Sequence, residues 1–340
     1  MLKLSDRAWK GFKIEEIFNV NKGRYLSNKK IIEGKNPYIT AKANKNGVKK
    51  FIGNKSIFPG GYITIEKVSL SAYYQPYDFY CSHDVSVISN KHLNEYSGLF
   101  VCNMIKSQGE KYSYGRQAQL SVIKRESVYL PINDFGEPDY DFMEAYILDK
   151  KNILIARYKE YLKGELEKLD CDYVEQLNEK EWSEFYITEL FDEVKRGKRL
   201  TKVQQTSGYI PYVSSTSINN GVDNFISYKK SMRKYSNCIT IANSGSVGSS
   251  FYQPFEFIAS DHVTHLKNEK MNKYVYLFIV TMLGRLSEKY NFNREINDKR
   301  ILREKIILPI NENQEPDFEY MERFVKYHMK KQYNRYLSRI

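Results

Sequence analysis

Apolar residues in this chain fall into short alternating runs and long four-spaced stripes, and the order of runs occurs twice. Tyr62 to Ile65, Asp84 to Ile88 and Val128 to Ile132 are rich in β-branched residues and bounded by turn formers, which predicts strands. Asn46-Gly47 and Asn220-Gly221 predict tight turns. Asn94 to Lys106, and its counterpart Asn272 to Leu286, have helical spacing. A longer helix is predicted from about Pro138 to Leu177, because Pro and Asp suit a helix start. Leu154, Tyr158, Leu162, Leu166, Leu169 and Tyr173 share one stripe on it. Its roughly 40 residues would span about 60 Å, long enough to act as a ruler. A second helix is predicted from Pro316, with Met321, Val325, Met329, Tyr333, Leu337 and Ile340 in line. A lone amphipathic helix between domains would leave its apolar face in water, so the two stripes are expected to pack together.

The doubling can be followed residue by residue. Of 9 prolines, Pro37, Pro76, Pro131 and Pro138 match Pro211, Pro254, Pro309 and Pro316, and only Pro59 is single. The 2 tryptophans, Trp9 and Trp182, also match. Phe18 meets Phe191, Gly23 meets Gly197, Ile63-Thr64-Ile65 meets Ile239-Thr240-Ile241, and Tyr74-Gln75-Pro76 meets Tyr252-Gln253-Pro254. Insertions fall between apolar runs, where loops change length cheaply. Matched positions are mostly apolar, Gly or Pro, and the positions between them are largely polar. This is one scaffold written twice with two surfaces, a pattern that precedes any other reading of the chain.

A chain of 340 residues can hold two domains with proper cores. Its formal net charge of +12 and pI near 9.2 favour a polyanionic partner, usually nucleic acid or an anionic membrane. No apolar stretch is long enough to cross a bilayer, and the N-terminus has no apolar signal core. Cys81, Cys102, Cys171 and Cys238 have no CxxC spacing and read as free thiols of a cytoplasmic protein.

Catalytic constellations are not readable. Asn36-Pro37-Tyr38 lacks the second proline of the adenine-methyltransferase Asn-Pro-Pro-Tyr motif and reads as a turn before a strand. Gly245-Ser-Val-Gly248 lacks the Lys-Ser/Thr of a P-loop and reads as a hairpin turn. His262 and His265 are three apart on a predicted strand, so they point to opposite faces and chelate poorly. Glu33-x-Lys35 has no Pro-Asp upstream of it. The expectation is a protein that is not an enzyme by itself and holds no metal or cofactor.

The ordered set of motifs resembles the specificity subunits of type I restriction–modification systems, and equally the similar subunits of type IIB systems. It covers nearly the whole chain. It includes Trp9-x-x-Phe12-x-Ile14 and Trp182-x-x-Phe185-x-Ile187, then Ile239 to Gly248 with Ser260-Asp-His-Val263. The weaker first-copy version is Ile63 to Glu66 with Ser82-His-Asp-Val85. Gly115-Arg116-Gln117 precedes Leu130-Pro-Ile132, and Leu308-Pro-Ile310 closes the second copy.

The resemblance implies an α+β fold of two tandem target recognition domains, strand-rich and mixed α/β. Each is followed by a long helix, and the helices pair as an antiparallel coiled coil. The expected boundaries are residues 1–135 and 180–313 for the recognition domains, 136–179 for a central spacer helix and 314–340 for a C-terminal helix. Leu154, Tyr158, Leu162 and Leu166 would meet Met321, Val325, Met329 and Tyr333. Each domain would read one half of a bipartite, asymmetric site in double-stranded DNA. Two methyltransferase subunits would dock on the helices and bring S-adenosylmethionine, and a translocase-nuclease subunit would join in a type I system. The second helix is short, which leans toward the type IIB relatives.

Cationic side chains would hold phosphates, while polar groups and Arg would read base edges. First-copy candidates are Lys22, Arg24, Lys42, Asn44, Lys45, Asn46, Lys49, Tyr114, Arg116 and Gln117. Second-copy candidates are Lys195, Arg196, Lys198, Arg199, Ser214, Ser215, Thr216, Asn219, Asn220, Arg233, Lys234, Asn293 and Arg294. Arg116 and Arg294 stand out, because they align within otherwise divergent loops. The competing class is a structural adaptor that binds protein through its repeats and associates through its helices. The basic surplus disfavours it, and salt-dependent binding to duplex DNA separates the two.

Overall fold

The computed structural model describes every residue except Met1 and Ser231. It divides into two compact units, Met1–Tyr158 and Lys159–Ile340.

The first unit runs β1 (Trp9–Lys13), α1 (Ile14–Ile17), β2 (Asn19–Lys22), β3 (Glu33–Ile39), β4 (Val48–Ile52), β5 (Tyr62–Glu66), β6 (Ala72–Gln75), β7 (Tyr80–Cys81), β8 (Val85–Ser89), α2 (Glu95–Lys106), α3 (Leu120–Arg125) and β9 (Ser127–Pro131). Helix α4 (Tyr140–Leu166) follows and carries the chain across the division. The second unit repeats the order as β10 (Trp182–Tyr186), α5 (Ile187–Leu190), β11 (Glu193–Arg196), β12 (Ser207–Val213), β13 (Val222–Ile226), β14 (Cys238–Ala242), β15 (Ser250–Gln253), β16 (Ile258–Ala259), β17 (Val263–Lys267), α6 (Lys273–Leu283), α7 (Leu286–Lys289), α8 (Asp298–Ile301), β18 (Lys305–Pro309) and α9 (Phe318–Leu337).

Both copies build the same sheets. A four-stranded sheet has the order β2-β8-β5-β6 in one and β11-β17-β14-β15 in the other. A three-stranded sheet has the order β4-β3-β7, or β13-β12-β16. A two-stranded ladder joins β1 to β9, or β10 to β18. Pro37 and Pro211 sit in centre strands, just before the parallel partners begin at Tyr38 and Tyr212, so their missing N–H leaves that ladder intact.

The main core of the first domain gathers Phe12, Ile63, Ile65, Ile88, Val101, Ile105 and Leu130 between the four-stranded sheet and α2. The second uses Ile239, Ile241, Leu266, Tyr276, Ile279 and Leu308 in the same way. Asn94 and Asn272 start α2 and α6, each accepting two backbone N–H groups on its side chain. Asp139 accepts from the Phe142 N–H, and Asp317 from the Tyr320 N–H, both at 2.9 Å. A cation binds the other oxygen of each acid, Arg7 at 2.8 Å and Lys180 at 2.9 Å. The first turns of α4 and α9 therefore belong to their own domains, and Met143 and Met321 are fully buried in the two cores.

The spacer differs from the expected helix. It stops at Leu166, 27 residues long, which is about 40 Å rather than 60 Å. Its end tightens through Lys168 N–H to Glu165 O and Leu169 N–H to Leu166 O. The following segment buries Leu169, Cys171 and Val174, a spacing no single helical stripe provides. It is strapped to α9 by the Lys330–Asp172 ion pair at 2.7 Å, Arg323 Nη2 on Tyr173 O at 3.3 Å and the Tyr320 hydroxyl on Glu175 O at 3.0 Å. At the far end of α9, Lys159 Nζ reaches the Ile340 carbonyl at 2.8 Å. Within this unit, residues 159 to 175 thus run antiparallel to α9. Among the described residues no helix is long and apolar enough to cross a membrane.

Candidate nucleic-acid interface

At one end of each four-stranded sheet the connecting loops converge, and backbone hydrogen bonds stitch them together. In the second domain, Ser246 N–H bonds Ser215 O at 3.1 Å, Asn243 N–H bonds His262 O at 2.8 Å and Ile296 N–H bonds Asn243 O at 3.0 Å. Gly197 N–H bonds Val263 O at 2.9 Å, and Lys198 N–H bonds Ala259 O at 3.1 Å. The first domain makes bonds equivalent to three of these, from Gly23 to Val85, Arg24 to Cys81 and Ala118 to Lys67, and Ser82 to Ile39 matches Ser260 to Val213. Close approach here requires glycine. A Cβ on Gly23 would lie 2.1 Å from Ser82 O, and one on Gly197 2.2 Å from Ser260 O.

The two loop faces carry different chemistry on this shared frame. In the first, the buried Glu66 carboxylate accepts from Val68, Ser69 and Ser71 N–H and folds the β5–β6 loop around itself. Lys67 Nζ then binds Asp84 at 2.6 Å, which holds the Asp84 carboxyl below the usual carboxylate range. His83 packs edge-on against Tyr25, with ring centroids 5.3 Å apart. In the second, Gly245 and Gly248 turn the β14–β15 loop in left-handed conformations, as its hairpin reading requires. His262 holds the place of Asp84 and its Nδ1 lies 2.6 Å from Ser244 Oγ, while Asn243, at the place of Lys67, turns inward to Thr264 and Ile296 O.

The sequence candidates separate into groups. Lys22, Arg24, Lys42, Tyr114, Arg116 and Gln117 flank the first loop face, and all but the half-buried Lys42 and Gln117 are exposed. Ser214, Ser215 and Thr216 are half-buried beside Gly245, while Asn293 and Arg294 are exposed next to Ile296. Lys198, Arg199 and Arg233 line one cleft with Lys229. Lys195, Arg233 and Lys234 line an adjoining cleft of about 530 Å³ with Lys267, Glu193 and the buried His265. Two of these cations are partly neutralised, Lys195 by Glu193 at 2.8 Å and Lys234 by Glu256 at 3.1 Å. Arg196 faces Asp298 at 3.2 Å.

Asn46 and Asn220 have a structural task that their place in a polar loop did not suggest. Each is left-handed (φ 54° and 55°). Each side-chain amide donates to a backbone carbonyl, of Tyr74 or Tyr252, and to Oε1 of a buried glutamine, Gln75 or Gln253. The glutamines answer through Nε2 to Asn46 O and Asn220 O, and to Thr64 and Thr240. Their amide N–H groups are therefore engaged within the fold. Asn44, Lys45, Lys49 and Asn219 remain exposed nearby.

The helix stripe mixes environments. Met321 is buried in the core of its own domain, and Val325 packs against that core. Leu162 is fully buried, Leu166, Met329 and Tyr333 are half-buried, Tyr158 is at the exposed margin, and Leu154 is 64% exposed.

Sequence reading missed Lys67, Asp84, Ser244 and Lys229, whose roles come from pairing or convergence across the loops. It also missed Phe292, for which a signal existed. Lys111-Tyr112-Ser113-Tyr114-Gly115-Arg116 and Lys289-Tyr290-Asn291-Phe292-Asn293-Arg294 share a Lys-Tyr-x-aromatic-x-Arg pattern.

The sequence matches the type I restriction modification DNA specificity domain twice, over residues 6–162 and 179–335. S.BcgI, the specificity subunit of a type II restriction enzyme from Heyndrickxia coagulans, is 30% identical over 324 residues, 92% of each chain. A putative type I specificity subunit of Mycoplasma pneumoniae, S.MpnORF507P, is 24% identical over 73% of this chain and 70% of that one. The crystal structure of the type I S subunit from M. genitalium shares the fold, with a TM-score of 0.53 at 17% identity over 99% of this chain and 94% of that one. Two loop faces on one repeated frame, each inside a matched domain, place the chain in the type I restriction–modification DNA specificity family, as a specificity subunit with two recognition domains.

Proposed function

We propose that each domain reads one half of a bipartite, asymmetric duplex site, and that this chain supplies recognition without catalysis. The observation that carries this reading is that Asp84, paired with Lys67, stands where the other domain has His262, paired with Ser244. A shared sheet frame that carries different donors and acceptors is what two half-sites of different sequence require. The clustered cations add affinity for phosphates, independent of sequence. Methylation and cleavage belong to partner subunits. Two methyltransferase subunits dock on the helical region and bring S-adenosylmethionine. A type I system adds a translocase-nuclease, whereas a type IIB partner carries both activities in one chain. The antiparallel course of residues 159 to 175 along α9 supports helices that pair and set the gap between half-sites.

The test is to co-express the chain with its methyltransferase partner and map modified bases across a host genome. Exchange of residues 9 to 134 for another domain of this family should change one half of the methylated motif. A change in both halves, or a motif that is not bipartite, would overturn the reading.

A further inference from the structure

Tyr114 is 85% exposed and Phe292 is 77% exposed, and they hold the same position in the two domains. Neither ring contributes to a hydrophobic core. An aromatic ring kept bare at the same point of two otherwise divergent loops calls for a partner outside the fold.

Each ring is mounted rigidly. Ser113 and Arg116 exchange backbone hydrogen bonds of 3.1 and 3.0 Å across the first turn, and Asn291 and Arg294 exchange bonds of 3.2 and 2.9 Å across the second. Behind the first turn, Lys111 and the Tyr112 hydroxyl both bind Glu126. Behind the second, Lys289 and the Tyr290 hydroxyl bind the buried Glu304. Burial, and then the carboxylate, push both tyrosine hydroxyls up to about 12, so they remain donors. The base of each turn is tied to the reading loops, through Ala118 N–H to Lys67 O at 2.7 Å and Ile296 N–H to Asn243 O at 3.0 Å.

We propose that Tyr114 and Phe292 stack on DNA bases, each in the half-site of its own domain, while Arg116 and Arg294 hold a neighbouring phosphate. In a duplex the ring reaches a base face by wedging into a base step and partly unstacking it, and because every base has a π-face this contact tolerates any sequence. That explains why the ring is kept in both copies while the loops beside it differ. The rings set the register of each domain on the duplex, and the loop faces then read it. The inference rests on the DNA-reading function proposed above.

The test uses the specificity subunit assembled with its methyltransferase partner. The probes are duplexes carrying the mapped site, with 2-aminopurine placed at successive positions of each half. The assembled wild type should change the fluorescence at one position in each half. Tyr114→Ala should abolish the change in one half only, and Phe292→Ala in the other. Each should weaken binding by roughly 5- to 150-fold without altering its salt dependence. Tyr114→Phe and Phe292→Tyr should keep both signals. The proposal is overturned if the alanine variants bind within about twofold of wild type with signals intact. It is also overturned if they lose assembly with the methyltransferase, which makes the rings protein contacts, or if their melting temperature falls, which makes the role structural. Absence of sequence-specific binding by the wild type would overturn the parent reading as well. Normal wild-type binding with unaffected variants would overturn this inference alone.

Discussion

Trp9 faces Pro131 across the β1–β9 ladder, and the same register sets Trp182 opposite Pro309. Each indole N–H donates to a backbone carbonyl five residues earlier, Leu4 O at 2.8 Å and Leu177 O at 2.9 Å. Each ring also packs on the helix behind it, with centroid distances of 6.0 Å to Phe100 and 6.3 Å to Phe278. The first strand of each domain is thus sealed to the last, and Asp139 N–H on Pro131 O, or Asp317 N–H on Pro309 O, launches the helix from that seal. A domain closed in this way can be duplicated without rebuilding its edges. Trp9→Ala should cost the first domain about 2–4 kcal/mol, somewhat below the range of about 3–5 kcal/mol for a large aromatic core side chain because Trp9 is half-buried. Urea unfolding should then separate into two transitions, with Trp182 fluorescence reporting an unshifted second one. A joint shift of both transitions would contradict independent closure.

The exchange of Asp84, paired with Lys67, for His262, paired with Ser244, predicts separable specificities. His262→Ala should relax discrimination at one base pair, by about 1–3 kcal/mol, in the half read by the second domain. Lys67→Ala should act only in the other half. Methylation mapping of each variant reads the outcome directly, since a relaxed position appears as degeneracy in the motif. Degeneracy in both halves from one substitution would refute the assignment.

Lys198 is exposed, directly after the Gly197 contact, and shares a cleft with Arg199, Lys229 and Arg233. If it holds a phosphate, Lys198→Ala should weaken binding to matched and mismatched duplexes alike. The slope of log affinity against log salt should fall in size by about 0.9. Gly197→Ala should produce a larger loss together with instability, because the added Cβ meets Ser260 O at 2.2 Å. A salt slope that Lys198→Ala leaves unchanged would remove that residue from the interface.

Much of this architecture could be read from one chain because the signals were local. Alternating β-branched runs and helical spacing marked β5, β8, β9 and α2 to within a residue or two, and α6 ends at Leu283, three residues before the expected Leu286. The spacer helix was overextended because Leu169 and Tyr173 continue the stripe at spacings of three and four residues. In the fold that spacing is used by a strap, with Leu169 buried and Tyr173 exposed. Asn46 and Asn220 looked like readers because polar loop residues usually face solvent, and the buried glutamines that claim them lie 29 and 33 residues away. Pairs such as Lys67 with Asp84 depend on sheet register, which no local pattern encodes. Phe292 escaped notice because an apolar residue is read by default as core.

His265 gives the two domains different responses to acid. It is 1% exposed, with Nε2 3.2 Å from Glu193 and its ring 4.0 Å from that of Tyr235. Lys195, Lys267, Arg233 and Lys234 line the same cleft. Burial pushes its pKa below the ordinary histidine value, and the opposing pull of Glu193 does not restore it. The folded domain therefore favours the neutral imidazole, whereas the unfolded chain takes up a proton near pH 6.5. Below that pH the unfolded state binds more protons, so stability falls with falling pH until the folded pKa is passed. In the first domain the equivalent place is held by the buried Val87, opposite Thr64 as His265 is opposite Thr240. Asp84 there is also depressed, but its contribution is lost only in the carboxylate range, near and below about pH 4. The second domain should thus lose stability as pH drops from 7.5 toward 5.5 while the first is nearly unaffected. His328 on α9 is shifted in the same direction, so the comparison is His265→Val against wild type. Urea unfolding followed in Trp9→Phe and Trp182→Phe backgrounds assigns each transition to its domain. His265→Val should flatten the acid dependence of the second transition and leave the first unchanged. An unaltered slope in the second transition would mean that His265 already exchanges its proton freely in the folded state.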